Sequence, residues 1–388
     1  MSPNCKSVLL NLVILAAVSA GLAMYPLRPS GCVACPIPVA EGVNAVESDG
    51  PYLLYDEVLT PESLQQVSEA GALKYWIVYQ DDCDRGASKT GKVDTREVLR
   101  HIAEMGGGRG PGEWAVLDFE IPFDDWMKEG PGTEHWRIAN DSLCKTIDAA
   151  KRTFPNTKWT YYGVPRLDFY LDGKSWLTAT EEAKTAEIAK QLRNYSEVMS
   201  RCDWLAPSVY MVVGDRSNGG KAGTLQQDET HAWTKAMVAM CRDFVQPSGK
   251  VTPILPFVSP VYQGGGSARF QSVIPDPIVA RCTIAPIINA GGGGVACWTA
   301  ASYMTKVITS REVSELPSTK DNAAALINWA EDLGTTPEEL RTESGVRRLQ
   351  RLYSDATARM IRGFKSSWPK KPSPINAADP QTKSGTNK

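Results

Sequence analysis

The sequence is poor in histidine, carries no excess of either charge and, past its first two dozen residues, has no apolar run long enough to cross a bilayer. Its three histidines, His101, His135 and His231, form no pair. The lone CxxC, Cys32-Val33-Ala34-Cys35, has no second CxxC to complete a zinc site, and it sits in a Pro-rich segment with no helix behind it, unlike a redox motif. The 42 Lys and Arg nearly balance the 44 Asp and Glu, for a net charge of −2. Nothing in that balance draws the chain to nucleic acid or any other polyanion. The glycine runs Gly106–Gly108, Gly264–Gly266 and Gly291–Gly294 do not open a helix after a strand, so no dinucleotide fingerprint is present. No cofactor and no metal are expected.

What remains is an ordinary globular composition, 42% hydrophobic and 22% charged over 388 residues. Lys6 followed by the apolar Val8–Met24 and small residues near its end has the pattern of a secretory signal peptide, here assigned to 1–24. Left uncleaved, its 17 apolar-rich residues would be a short membrane anchor. The mature chain is expected to be secreted, periplasmic or on the cell surface, and monomeric. A Pro/Gly-rich lead-in follows (25–50), then the main domain (51–310), a C-terminal helical extension packed on it (311–366) and a basic tail without order (367–388). In an exported chain, Cys32, Cys35, Cys83, Cys144, Cys202, Cys241, Cys282 and Cys297 permit disulfides. Asn140-Asp141-Ser142 and Asn194-Tyr195-Ser196 have the form of glycosylation acceptors.

Short apolar runs alternate with helical stretches. The runs read as strands are Tyr52–Tyr55, Tyr75–Tyr79, Trp114–Phe119, Trp159–Val164, Trp204–Val212, Thr252–Val258 and Gly294–Thr299. The helices between them are Pro61–Ala70, Val93–Met105, His135–Thr153, Ala179–Ser200, Thr230–Phe244 and Asp276–Ile288, with Asp321–Leu333 and Pro337–Phe364 beyond. Strand and helix repeated this often imply a parallel sheet, and the number of repeats favours an α/β fold closed as a distorted (β/α) TIM-like barrel of about seven strands. In such barrels the carboxyl ends of the strands carry the active site.

At one of those ends stand Asp118 and Glu120, closing the apolar run WAVLDFE. Side chains alternate faces along a strand, so the i, i+2 spacing sets both acids on one face with Cα atoms roughly 6.5–7 Å apart. Either could be a catalyst, or both could cap a helix or pair with arginines. Other strand ends bring aromatics: Trp159, Tyr161 and Tyr162 in KWTYYGVP, Tyr210 in DWLAPSVYM, and Trp298 in GVACWTAASY. Rings beside carboxylates suit a sugar, whose C–H faces pack on aromatics while its hydroxyls take polar partners.

Taken in order, VLDFE (Val116–Glu120), KWTYYGVP (Lys158–Pro165), APSVYM (Ala206–Met211), PILPFVSPVY (Pro253–Tyr262) and GVACWTAASY (Gly294–Tyr303) resemble the successive strand motifs of the hyaluronidase family of glycoside hydrolases. The resemblance spans about Tyr75 to Tyr303. It implies a distorted barrel of seven parallel strands and substrate-assisted, retaining hydrolysis of a β-linked N-acetylhexosamine polysaccharide or glycosaminoglycan, in which the acetamido oxygen of the substrate is the nucleophile. By the same resemblance Glu120 is the general acid and base, Asp118 holds and polarises the acetamido group, Tyr162 and Tyr210 line the site, and Trp298 walls the acetamido pocket. Tyr161 and Asp203 are further candidates for substrate binding. The chain departs from the family pattern at Phe119, where tryptophan is usual, at Ile121–Trp126, where an arginine-containing stretch is usual, and in having no cysteine after Cys297. Loss of the basic stretch weighs against hyaluronan itself, although Arg85, Arg109, Arg166 and Arg216 remain as local positive charges. Two other readings stay open: a glycosidase whose nucleophile is Asp203 or Asp215, and a barrel that binds glycans on Trp298 and Tyr210 without cleaving them.

Overall fold

Seven residues, Leu73 to Tyr79, run through both main sheets of the protein and tie them together. The structure, a computed structural model, describes residues 50–369 apart from 57–58, 85, 212–223, 245–248, 250, 264–271, 299–326, 328 and 332. All described residues belong to one unit, Ile37–Lys388. The signal and lead-in segments, Cys32 and Cys35, Arg85, Asp215, Arg216, most of the predicted helix Asp321–Leu333 and the tail from 370 onward lie outside the described residues.

In chain order the elements are β1 (Tyr52–Tyr55), α1 (Pro61–Glu69), β2 (Leu73–Lys74), β3 (Trp76–Tyr79), the short turns α2 (Gln80–Cys83) and α3 (Ala87–Thr90), α4 (Thr95–Gly108), β4 (Trp114–Asp118), α5 (Phe123–Glu129), α6 (Glu134–Thr153) and β5 (Lys158–Tyr161). A small hairpin, β6 (Tyr170–Leu171) with β7 (Lys174–Ser175), precedes α7 (Glu181–Met199) and α8 (Thr224–Asp243). Then come β8 (Phe257–Val258), α9 (Asp276–Val279), a π-helical turn (Ala280–Ile284), α10 (Ala285–Asn289), β9 (Gly294–Cys297), α11 (Pro337–Leu340) and α12 (Glu343–Ser367). Residues that cap and break account for many of these bounds. Thr60, Asp94, Thr133 and Thr180 each accept a backbone N–H in the first turn of the following helix. The predicted helix over Pro337–Phe364 is two helices, because Thr342 starts a new one by accepting from Gly345 N. The predicted Asp276–Ile288 helix widens into a π turn where Pro286, lacking an N–H, cannot bond back to Cys282.

The result is a mixed α/β protein with parallel sheets and many helices. One sheet has the order β2-β1-β9-β8 and the other β3-β4-β5, parallel throughout. Among the described residues, the continuous closed ladder of about seven strands expected from the sequence does not form. The expected strand Trp204–Val212 makes only isolated bridges: Ala206 to Tyr162, Leu205 to Ile254 and Ser208 to Phe257. Its composition supplies the reason. Pro207 stands within it, and Pro253 and Pro256 within the run it faces, and proline donates nothing to a ladder. The remaining donors still bond across, with Leu255 N to Leu205 O at 2.9 Å and Val209 N to Phe257 O at 3.0 Å.

The strands divide the interior into two faces. Val116, Ala206, Phe257, Ala296 and Leu54 pack on one side with Tyr75, Trp114 and Trp204, and Tyr162, Tyr210 and Trp298 extend that cluster toward the strand ends. Ala115, Leu117, Phe119 and Tyr161 face the other side, under the helices. At the start of β9 a glycine is obligatory. Gly294 has φ +156°, and a Cβ there would lie 1.8 Å from the Tyr52 carbonyl oxygen. This close approach lets β9 pair with β1 from Tyr52↔Gly294 to Tyr55↔Cys297.

The described cysteines, Cys83, Cys144, Cys202, Cys241, Cys282 and Cys297, form no disulfide. Five of them are buried as small apolar groups, a role that needs no bridge. Cys202 Sγ, for instance, donates to the Val198 carbonyl at 3.4 Å within its own helical turn. No described helix is long and apolar enough to cross a membrane.

Candidate active site

Strand β4 builds the centre of the site. Its outward residues Ala115 and Leu117 anchor it beneath the helices, and Phe119 continues that side, packing on Phe123 at 6.1 Å and Tyr161 at 6.2 Å between ring centroids. Alternation then turns Asp118 and Glu120 the opposite way, as an extension of inward Val116. Asp118 keeps some exposed surface as a residue, but its Oδ1 is sealed from solvent and makes no hydrogen bond. Its pKa is pushed up to about 8, chiefly by burial and next by the charge of Glu120, with Asp81 adding to the rise and Arg166 opposing it. Burial thus favours the protonated form of Asp118, and the charge of Glu120, exposed at the strand end, adds to that preference.

The aromatic side of the site comes from three other strand ends. The Tyr162 hydroxyl donates to Ser208 Oγ at 3.2 Å, and its ring stands edge-on to Phe257 at 5.0 Å. Tyr210 lies 6.0 Å from Tyr162, tilted by 31°, and stacks on Trp298 at 5.5 Å with 24° between planes. Trp298 Nε1 in turn donates to the Tyr79 hydroxyl at 3.3 Å. The wall thus runs Tyr162, Tyr210, Trp298, Tyr79. Its floor is firm, because Tyr75 beneath it donates to the Cys297 carbonyl at 3.2 Å. Both tyrosine phenols are held neutral far above their ordinary range. For Tyr162 burial is the main cause and the charge of Glu120 the next; for Tyr210 burial dominates, with Tyr162, Tyr75, Asp56 and Asp118 adding to it. The strand register joins the acids to this wall: Asp118 pairs with Tyr79, and Tyr162 N donates to the carbonyl of Leu117, the residue before Asp118, at 3.0 Å.

Two sequence candidates fall elsewhere. Tyr161 is fully buried on the helical side and donates to the Leu143 carbonyl at 2.8 Å. Its register partner is Leu117, an outward residue, so Tyr162 and not Tyr161 faces the acids. Asp203 lies near the start of β5, the opposite end from the acids, accepting from Lys151 Nζ at 2.8 Å and Trp159 N at 3.0 Å. It locks helix to strand and is out of reach as a nucleophile beside Glu120. Of the arginines, Arg109 caps the end of α4 before β4, again at the far end, and Arg166 is ion-paired with Asp124 of the IPFDDW stretch.

Other residues join the site that the sequence reading passed over. Asp56 directly follows β1, and Asp81 lies one residue past Gln80, which itself follows β3. The strand-end rule that singled out Asp118 applies equally to both. Gln80, almost fully buried, donates from Nε2 to the Ile121 carbonyl at 2.7 Å, and the next turn is closed by Asp124 N on the Glu120 carbonyl at 2.8 Å. Glu120 is therefore flanked by two fixed backbone groups. Among the described residues, no cluster of His, Cys, Asp and Glu has the arrangement of a metal site.

No family model and no curated protein matches this chain. Among solved structures it is similar to bee venom hyaluronidase, over 80% of this chain and 99% of that one, at 14% identity and a TM-score of 0.47. A second structure, of bee venom hyaluronidase in complex with a hyaluronic acid tetramer, is similar over 76% of this chain and 99% of that one, at 16% identity and a TM-score of 0.42.

Proposed function

We propose that the protein is a secreted, monomeric glycoside hydrolase that cleaves a β-linked N-acetylhexosamine polysaccharide with the acetamido oxygen of the substrate as nucleophile. The observation that carries this reading is the division of labour within one carboxyl pair. Asp118 has an Oδ1 that is sealed from solvent and unpartnered and a pKa raised chiefly by burial, whereas Glu120 is exposed at the strand end. A pair on one strand suits one proton-transfer group and one positioning group; two catalysts acting from opposite faces of a glycosidic bond would stand across the site from each other. On this reading the two parallel sheets and the bridged segment Leu205–Ser208 together make the wall of a distorted barrel, with the acids at its carboxyl rim.

The chemistry follows from the groups in place. The Asp118–Glu120 pair carries one proton; as the acetamido N–H bonds to Asp118 this proton passes to Glu120, the acetamido oxygen attacks C1 as the glycosidic C–O bond breaks, and Glu120 gives the proton to the leaving oxygen, leaving Asp118 as the carboxylate. Asp118 Oδ1 receives the acetamido N–H, whose acidity grows as positive charge spreads onto the ring that forms. Water then attacks C1, Glu120 takes its proton, and the acetamido group is restored with retained configuration. Tyr210 and Trp298 confine the acetamido group, and Tyr162 and Tyr210 line the site with neutral hydroxyls that add no charge. An NMR time course of the first-formed product tests this. Retention of anomeric configuration is expected, and inversion would exclude the acetamido route.

A further inference from the structure

We propose that the slot between α12 and the π-helical turn is a binding site for a small amphipathic carboxylate, an unbranched acyl chain of about eight carbons with its head on Arg359. The inference goes beyond the glycosidase reading and does not depend on it.

The slot follows one face of α12, where Ala356, Arg359, Met360, Gly363 and Ser367 recur at three- and four-residue spacing over about 16 Å of helix. Ile274, Val279 and Ile284 form the opposite wall, all of them buried, and Ile274 N donates to the Pro260 carbonyl at 2.9 Å, which fixes that wall in place. No acid or aromatic residue of the candidate active site lines it. The slot lies behind β9, where Met360 Sδ touches Cys297 Sγ at 3.8 Å. Its volume is about 200 Å³. An apolar cavity of about 150 Å³ holds the six carbons of benzene, so this one has room for about eight, and its run along a helix face suits a chain better than a ring.

Two features point to a ligand rather than to loose packing. Gly363 stands inside a 25-residue helix, where glycine is unfavourable, and a Cβ there would lie 3.1 Å from Ile284 Cδ1. A larger residue would narrow the slot at that point. The charged end is also only lightly occupied. Arg359 Nε meets Asp276 Oδ1 at 3.3 Å, both side chains reach solvent, and the two terminal nitrogens of the guanidinium have no hydrogen-bond partner among the described residues. That free fork matches a carboxylate, which would compete with Asp276 for the same cation while its alkyl tail enters the apolar slot.

Isothermal titration of the full-length protein with hexanoate, octanoate, decanoate and 1-octanol tests this. Octanoate should bind saturably and about tenfold tighter than hexanoate, as two further buried methylenes require, whereas decanoate should gain little because the slot is full. The alcohol should bind about tenfold more weakly than octanoate, and Arg359→Met should erase that difference. Asp276→Asn, which removes the competing carboxylate, should tighten octanoate several-fold. Gly363→Leu fills the slot with a good helix former and should abolish binding. Thermal melting checks that each variant folds, and the chain-length series and Arg359→Met decide the matter if Gly363→Leu does not. Absence of saturable octanoate binding in the millimolar range would overturn the inference, as would equal affinity for acid and alcohol in the wild type, or octanoate binding undiminished in folded Gly363→Leu.

Discussion

The side-chain amide of Gln80 donates a 2.7 Å hydrogen bond to the backbone carbonyl of Ile121, the residue that follows Glu120. Gln80 touches no reacting atom; it fixes the turn from which Glu120 projects. Gln80→Leu, of similar volume, leaves that carbonyl without a partner and frees the turn. We expect kcat to fall about tenfold with KM changed less than twofold, because a small displacement of a proton-transfer group costs rate before it costs binding. A merely structural role would lower the melting temperature and leave kcat per folded molecule untouched, so both are measured.

Asp118 carries a linkage between pH and stability whose sign is fixed by the direction of its shift. Its pKa in the folded protein is pushed up to about 8 from the 3.8 of a free aspartate, chiefly by burial, so folding favours the protonated form. The favourable contribution is fully present below the unfolded value and is lost as pH rises toward the folded one, after which the curve is flat. Asp118→Asn removes that dependence. The variant should melt at nearly the wild-type temperature near pH 4 and clearly above it at pH 8, by an amount on the order of 3 kcal/mol after allowing for partial exposure. Wild-type kcat should decline above pH 8 as Asp118 loses its proton, and the variant, slower throughout, should lack that limb. A variant less stable than the wild type at pH 8 would refute the buried, protonated assignment.

Gly294→Ala tests the closure of β9 on β1. The added methyl would sit 1.8 Å from the Tyr52 oxygen, so the strand pair must separate. A loss of about 3 kcal/mol or more is expected in chemical denaturation. A change below about 1 kcal/mol would mean that β1 and β9 are not in this register.

Neither sequon should carry a glycan once the chain has folded. Asn140 is buried and its amide donates to Glu197 Oε2 at 2.8 Å; Asn194 is fully buried and donates to the Met127 carbonyl at 3.0 Å. Intact mass after secretion from a glycosylating host should equal the polypeptide mass. Occupancy at either site would require a fold in which that helix face is open.

Much of the strand framework was legible because a buried parallel strand is a nearly continuous apolar run. Tyr52–Tyr55 coincides with β1, and the predicted runs at Tyr75–Tyr79 and Trp114–Phe119 each exceed the observed strand by one residue. Trp204–Val212 read as a strand on the same grounds and is not one, because apolar content does not reveal how many donors prolines have removed across the facing run. Tyr161 and Tyr162 illustrate a second limit. Adjacent tyrosines occupy opposite faces, and the choice between them depends on the register Leu117↔Tyr161, which no local pattern contains. Asp203 precedes the bridged segment Leu205–Ser208, which puts it at the end away from the acids. Asp56 and Asp81 were in plain view at the ends of runs. Neither has a carboxylate two residues away, the spacing that sets Asp118 and Glu120 on one face.

The central claim is that Glu120 moves the proton while Asp118 holds the nucleophile of the substrate, and the most direct measurement is hydrolysis of N-acetylhexosamine oligomers by the wild type and Glu120→Gln side by side. Glu120 is exposed, so the isosteric amide should leave the melting temperature within about 1–2 °C of wild type. The account predicts turnover reduced by about 1,000-fold or more in the variant, with oligosaccharide binding retained. Turnover at or near the wild-type rate in folded Glu120→Gln would contradict it.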